Sequence, residues 1–328
     1  ERRSLRRING GSREEFKKMQ KVMVFPSTFG KFSKEPERLL TEAGIEFTRF
    51  SKAGMTEDEV IQRLQGYDGV ILGLEPMSER VMHACPQLKV VSRVGVGMDN
   101  VDVKAAGELG VKVYNTPGAN ANAVADYAFG MMLDLARSIS VANRDVKRGE
   151  WNKYTGYPVW GAALGIIGLG AIGKGMARRA KGFNMRVLAY DVYWDEAFMA
   201  EYGVEKASLD EIYDQADFIT LHTALTEETR NMISTEQLKR MKNTAFLINC
   251  ARGGLVDEDA LADALRTGEI AGVGIDAFCD EPPTGSPLLE MDCVIAAPHI
   301  AGSSIDGINT MARMSAQNCI KGLQEVRN

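Results

Sequence analysis

The sequence predicts an α/β fold made of two doubly wound parallel-sheet lobes, and three observations predict it. Short apolar runs of strand length alternate with amphipathic stretches of helical period along almost the whole chain. Strands that are apolar throughout belong to parallel sheets covered by helices on both faces. The 328 residues, 45% of them hydrophobic, suffice for two domains at the usual ~100–200 residues each.

The elements follow in order. Residues 1–20, ERRSLRRINGGSREEFKKMQ, are rich in arginine and have no clean apolar face, so they read as a flexible leader, with a basic interaction arm or targeting remnant as the other reading. From Lys21 the alternation begins: KVMVF then PERLLTEAG, IEFTRF then EDEVIQRLQG, GVILGL then SERVMHAC, LKVVSRV then VDVKAAGELG, and finally VKVYN. This first lobe ends near Asn115. After TPGAN, residues 121–148 read as one long helix, because Ala, Met, Leu and Phe recur at helical spacing; 151–162, rich in Tyr, Trp, Gly and Pro, reads as a loop. A second series supplies strands in ALGIIG, RVLAYD, ADFITLH, TAFLINCA, AGVGIDAF and CVIAAPH. The last helix, roughly 304–325, has Ile305, Ile308, Met311, Met314 and Cys319 near one face. Periodicity alone leaves open whether it returns to the first lobe or stays on the second. The division adopted is 21–115 plus 304–328 for one domain and 116–303 for the other.

Composition removes several classes of function. No apolar run approaches the ~20 residues of a membrane span, and no secretory signal is evident. A net charge of −5 argues against broad nucleic-acid binding. The five cysteines are scattered without metal-ligand spacing, which fits reduced thiols and a cytoplasmic setting, and no metal site is expected.

LGIIGLGAIGKGMARRA carries Gly168-x-Gly170-x-x-Gly173 between an apolar strand and a helix. In that context Gly168 permits the tight turn, Gly170 lets the backbone approach a pyrophosphate, and Gly173 lets helix pack on strand. Amides at the helix start then face the phosphates. The next strand ends in Asp191, a carboxylate suited to ribose hydroxyls and repellent to a ribose phosphate; with no arginine beside it, NAD is favoured over NADP. A glycine turn with a surface Asp is the bland alternative.

Three later strand ends supply Arg252 in INCARGGLVDE, Glu281 in DAFCDEPP and His299 in APHIAG. Singly, Arg252 could cap a helix or pair with Asp257, Glu281 could be a solvated loop acid, and His299 could be a satisfied core histidine. Together, at the carboxyl ends of strands where doubly wound sheets bind ligands, they are the residues hydride transfer needs. Imidazole, with an unperturbed pKa of about 6.5, exchanges the hydroxyl proton near neutral pH. Guanidinium binds a planar carboxylate in two-point fashion and polarises a ketone.

RVGVGMDNVD, NTPGANANAVADYAFGMMLDLAR, GLGAIGK, LHTALTEETRNMI, NCARGGLVDEDAL and PHIAG, in that order, resemble the NAD-dependent D-isomer-specific 2-hydroxyacid dehydrogenases, in the branch near D-3-phosphoglycerate dehydrogenase. The resemblance runs from Lys21 to the C-terminus. It implies a flavodoxin-like substrate domain and a Rossmann NAD-binding domain. It also implies that His299 is the general acid/base, that Glu281 bonds its imidazole, and that Arg252 holds the substrate's carboxylate and carbonyl. By the same resemblance Ala171 and Ile172 lie over the pyrophosphate, Cys250, Asp276 and Gly302 approach the cofactor, and His222 lines its cleft. Val94, Gly95 and Val96 offer backbone amides to the substrate carboxylate, with Arg93 as a further cation at that end. Asp276 could instead cap a turn, His83 reads as a surface residue, and a homodimer through the 121–148 helix and the aromatic loop is implied.

The chain departs from that pattern in one important place. Relatives dedicated to 3-phosphoglycerate usually carry an arginine after the third strand, in a segment like RSAT; here the segment reads GLEPMSERV. The expected substrate is a small 2-hydroxy or 2-oxo acid, with 3-phosphoglycerate leading and glyoxylate, hydroxypyruvate or phosphite as alternatives. No serine-regulated C-terminal domain is expected. A corepressor-like, NAD-sensing binding module is the reading from another class.

Overall fold

The structure is a computed structural model and describes residues 19–326, so all but the last two residues of the 1–20 leader lie outside the described residues. It divides into two compact units, one made of residues 19–115 with 312–326 and the other of 116–311. The second crossing thus falls inside the last helix, beyond the 303/304 position used above.

In the first unit β1 (Gln20–Val24), α1 (Glu35–Glu42), β2 (Ile45–Arg49), α2 (Glu57–Leu64), β3 (Gly69–Leu72), α3 (Glu79–Ala84), β4 (Val90–Arg93), α4 (Val103–Glu108) and β5 (Lys112–Tyr114) alternate. The strands form one parallel sheet in the order β2-β1-β3-β4-β5, the flavodoxin-like order. Helices start where the sequence supplies caps: Thr56 and Glu59 make a reciprocal capping box on α2, an arrangement whose loss typically costs ~1 kcal/mol. One face of the sheet packs Val22, Val24, Ile71 and Val90 against Ala312, Ala316, Cys319 and Leu323 of the final helix. Each large aliphatic side chain buried there contributes about 1.5–3 kcal/mol.

The second unit begins with α5 (Ala121–Arg137) and α6 (Ile139–Lys147). The continuous 121–148 helix expected from periodicity is therefore broken. Ser138 takes the left-handed conformation (φ 54°), and Asp134 accepts bonds from the Ser140 amide (2.7 Å) and hydroxyl, drawing the backbone out of the helical ladder. Next come β6 (Ala163–Ile167), α7 (Ala171–Gly182), β7 (Arg186–Tyr190), α8 (Glu196–Tyr202), β8 (Val204–Lys206), α9 (Leu209–Gln215), β9 (Phe218–Leu221), α10 (Thr235–Arg240), β10 (Phe246–Asn249), α11 (Glu258–Thr267), β11 (Gly272–Ile275), β12 (Val294–Ala296) and α12 (Ile305–Glu325). The parallel sheet runs β12-β11-β10-β9-β6-β7-β8, a Rossmann order extended by one strand, with its reversal point between β6 and β9. Side chains of α5 and α7 cover one face, and those of α9, α10 and α11 the other. Of the strands only β8, three residues at the sheet edge, was not legible as an apolar run. Among the described residues no helix is long and apolar enough to cross a membrane.

Candidate active site

The glycine segment sits where β6, β7 and β9 end side by side. The Gly168 amide donates to Tyr190 O (2.8 Å) and the His222 amide to Ile167 O (2.7 Å). Gly168 has φ 101°, and a Cβ there would stand 2.6 Å from the His222 carbonyl; one at Gly173 would stand 2.0 Å from Gly168 O. Both positions need glycine for close packing. Gly170 differs: nothing lies within 4 Å of where its Cβ would be, and as the N-cap of α7 it brings no side chain to the helix start. Ala171 is exposed and Ile172 half-buried beside that opening.

Asp191, after β7, accepts the Leu169 amide on one carboxylate oxygen (2.5 Å) and the Tyr193 amide on the other (2.9 Å). Each oxygen keeps a lone pair for a ribose hydroxyl. Two buried polar atoms have no hydrogen-bond partner among the described residues: Nδ1 of His222, just after β9, and Oδ1 of Asn120, whose amide lies 2.7 Å from the Cβ position of Gly302. An uncapped helix start over open space, an acid at the next strand end and two orphaned polar atoms fit a dinucleotide. His222 Nε2 pairs with Thr220 Oγ1 (2.9 Å), and burial pushes its imidazole down to about 3, so the ring is neutral at physiological pH.

The chemical groups come from the next three strands toward the sheet edge. His299 follows β12 with φ 54°, uncommon for a residue with a side chain. Its Nδ1 lies 2.8 and 3.0 Å from the two oxygens of Glu281, one of which also accepts the Phe278 amide (3.2 Å). Pairing through Nδ1 leaves Nε2 as the nitrogen available to a substrate. Both side chains are partly exposed.

Arg252 follows β10 in extended backbone. Its carbonyl accepts Nδ2 of the buried Asn249 (2.7 Å), whose Oδ1 accepts the Ala251 amide (3.1 Å). The guanidinium donates to Ala251 O (2.8 Å). A Cβ at Gly253 would lie 2.0 Å from the Phe278 carbonyl carbon and 2.2 Å from the Cys279 nitrogen, so the chain just after Arg252 lies directly against the loop carrying Glu281. Cys250 is buried with its thiol 3.8 Å from Met131 Sδ; burial, helped by the Asp276 charge, holds it protonated, far above the usual thiol range.

Asp276, 1% exposed after β11, accepts the amides of Ile300 (2.8 Å) and Ala301 (2.7 Å). The second unit thus joins Glu281 to His299 and sets the Arg252 segment against the Glu281 loop. Arg93, Val94, Gly95 and Val96 belong to the first unit, at the end of β4. There the Arg93 guanidinium folds back to Val94 O (2.7 Å) and covers Gly95, where a Cβ would lie 1.3 Å from Nη1. The roles of Asn249 and Asn120 escaped sequence reasoning, although an asparagine closing the apolar run FLIN was a usable signal for the first.

Residues 129–301 match the family model described as "D-isomer specific 2-hydroxyacid dehydrogenase, NAD binding domain". The chain is 44% identical over 269 residues to a glyoxylate reductase of Korarchaeum cryptofilum, covering 80% of this chain and 81% of that one. It is 40% identical over 275 residues to a D-3-phosphoglycerate dehydrogenase of Methanocaldococcus jannaschii, covering 83% of this chain but 52% of that relative, about half its length. Among solved structures, the TT0316 protein of Thermus thermophilus superposes with a TM-score of 0.86 at 32% identity, over 93% of this chain and 97% of that one.

Proposed function

The chain belongs to the D-isomer specific 2-hydroxyacid dehydrogenase family and is an NAD-dependent enzyme of that class; from this premise we propose that it reduces a short, unphosphorylated 2-oxo acid of the glyoxylate or hydroxypyruvate type. The observation that carries the substrate class is Glu75. The segment in which relatives that handle 3-phosphoglycerate usually bear an arginine has none here, and its Glu75 carboxylate is bonded to the Gly73 amide (2.7 Å). Asn100 fixes the same segment through the carbonyls of Gly73 (3.2 Å) and Glu75 (2.7 Å). The segment follows β3, next in the sheet to β4 with its Arg93–Val96 turn. An acid held there repels a phosphate dianion.

In this reading Arg252 pairs with the substrate carboxylate and polarises its carbonyl, and the Val94–Val96 amides of the first unit are donors suited to a carboxylate. Bound NADH supplies the hydride. The glycine segment with Ala171 and Ile172 holds the pyrophosphate, Asp191 the ribose, and His222, Cys250, Asp276 and Gly302 border the cofactor. His299, kept in place by Glu281, passes a proton from Nε2 to the carbonyl oxygen as the alcohol forms, and takes it back in the reverse direction.

Initial rates with NADH test the proposal. Glyoxylate and hydroxypyruvate are expected to give kcat/KM at least about tenfold above 3-phosphohydroxypyruvate, the discrimination that one ill-placed charge of about 1.4 kcal/mol provides. Glu75→Arg should narrow the gap. A preference of the unaltered enzyme for the phosphorylated acid, or oxidation of phosphite above all of them, overturns the assignment.

We also propose a homodimer formed through α5, α6 and the aromatic segment after them, since Trp151 and Trp160 are 79% and 68% exposed, with Ile139 and Val146 more than half exposed beside them. Sedimentation velocity at micromolar protein should give a dimer that Trp151→Ser with Trp160→Ser weakens; a monomer in the unaltered chain refutes it.

A further inference from the structure

We propose that Glu258 is a positioning residue for Glu281 and, through Glu281, for the imidazole of His299, a reading that rests on the role given to His299. Glu258 opens α11, and its Oε1 accepts the amide of Cys279 (2.7 Å), two residues before Glu281. The preceding amide, that of Phe278, donates to Oε1 of Glu281 itself (3.2 Å). Two consecutive peptide N–H groups are thus divided between two carboxylates, one belonging to α11 and the other to the partner of His299.

Burial explains why this stretch needs a tether. Phe278 is buried in the same cluster as Leu261 and Leu265 of α11, whereas Cys279, Asp280 and Glu281 are exposed. Packing therefore fixes the residue where the turn begins but not the carboxylate it carries, and a site residue on a loop is held by the hydrogen bonds its neighbours supply. Glu258 stands on a rigid base from which to supply one. Asp257 caps α11 by accepting the Ala260 amide (3.1 Å), and its own amide donates to Ile233 O (2.9 Å). On the other side the same peptide meets Gly253, where a Cβ would lie 2.2 Å from the Cys279 nitrogen. The peptide joining Phe278 to Cys279 is thus held between the segment that follows Arg252 and the acid that opens α11. Burial, the Glu258 charge and a hydrogen bond to Glu258 push the Cys279 thiol up to about 11, so the sulfur stays protonated and is a second donor to that carboxylate. Glu258 therefore sets where the Glu281 turn stands relative to the Arg252 segment, and Glu281 passes that placement to the ring of His299 through Nδ1 (2.8 Å).

An acid in the first turn of a helix also has an ordinary use, since it favours the helix dipole. Three substitutions separate the two roles. Glu258→Gln keeps the acceptor oxygen and loses the charge, Glu258→Asp keeps the charge but is one methylene too short to reach the Cys279 amide, and Glu258→Ala loses both. Positioning predicts that the Asp and Ala variants lower kcat by about 10-fold, within the up to about 100-fold cost of an ångström-scale misplacement, and that Gln recovers most of that loss. NADH affinity by fluorescence titration should not change. A helix-dipole role alone predicts the other order, with Asp matching the unaltered protein and Gln matching Ala, in melting temperature and not in kcat. The chain has three histidines, His83, His222 and His299, so ¹⁵N-labelled histidine allows the His299 ring to be followed directly. Its Nδ1 signal should move in Glu258→Asp and Glu258→Ala in the same direction as in Glu281→Gln, and return in Glu258→Gln. Equal kcat in the Asp and Gln variants, or an unmoved His299 signal in Glu258→Ala, overturns the proposal. Should the variants fail to fold, hydrogen exchange in the unaltered protein decides: the Cys279 amide, in an exposed residue, should be protected, and exchange at unprotected rates refutes the tether. If the His299 signal moves while the unaltered enzyme reduces no 2-oxo acid, the positioning stands and the catalytic assignment falls.

Discussion

His299→Ala is expected to lower kcat by about 10²- to 10⁴-fold, the usual contribution of a positioned general acid/base, with NADH affinity retained. The expectation follows from geometry. Glu281 engages Nδ1 through both oxygens, which sets the ring's orientation and leaves Nε2 to the substrate. The second unit's other histidine, His222, cannot substitute, because its buried ring is neutral and bonded to Thr220. A glutamine at 299 would keep a polar side chain without a titratable nitrogen and should fail equally. Steady-state rates with the best 2-oxo acid, set beside NADH binding by fluorescence, check this; a His299→Ala enzyme with near-normal turnover removes the residue from the mechanism.

Arg252→Lys is expected to reduce kcat/KM by about 100-fold, the equivalent of one or two charge-assisted hydrogen bonds. Lysine keeps the charge but gives up the planar fork that meets a carboxylate at two points while reaching a carbonyl. The backbone around Arg252 leaves no slack to compensate: Asn249 holds its carbonyl, and Gly253 presses on Phe278 and Cys279. Arg252→Ala should lose more, and added guanidinium should restore part of its rate. If the lysine variant matches the unaltered enzyme, two-point recognition by Arg252 is wrong.

Much of this architecture could be read along the chain. Parallel strands buried on both faces leave continuous apolar runs, and KVMVF, ALGIIG and TAFLINCA locate β1, β6 and β10 without further help. The glycine fingerprint was equally visible, because the positive φ of Gly168 and the approach of Gly173 to Gly168 O are local. What escaped reading depends on single side chains meeting backbone, whether a few residues away or distant in sequence. The break at Ser138 needs the Asp134 carboxylate to compete with the helix. The clamp of Asp276 on Ile300 and Ala301, and that of Asn249 on the Arg252 loop, have no periodicity at all, since each is one side chain meeting a backbone that only the sheet brings near. Glu75 was legible as the lack of an arginine, but its bond to the Gly73 amide was not.

The strand order of the second unit has one more consequence. Gly168 and Asp191 hang from β6 and β7, whereas Arg252, Glu281 and His299 follow β10, β11 and β12, with β9 lying between the two groups. On the proposed roles, electron-donor preference and proton handling are written on separate halves of one scaffold. A lineage could retune which nucleotide it consumes by altering the chain around β7, and leave the machinery at the opposite flank undisturbed.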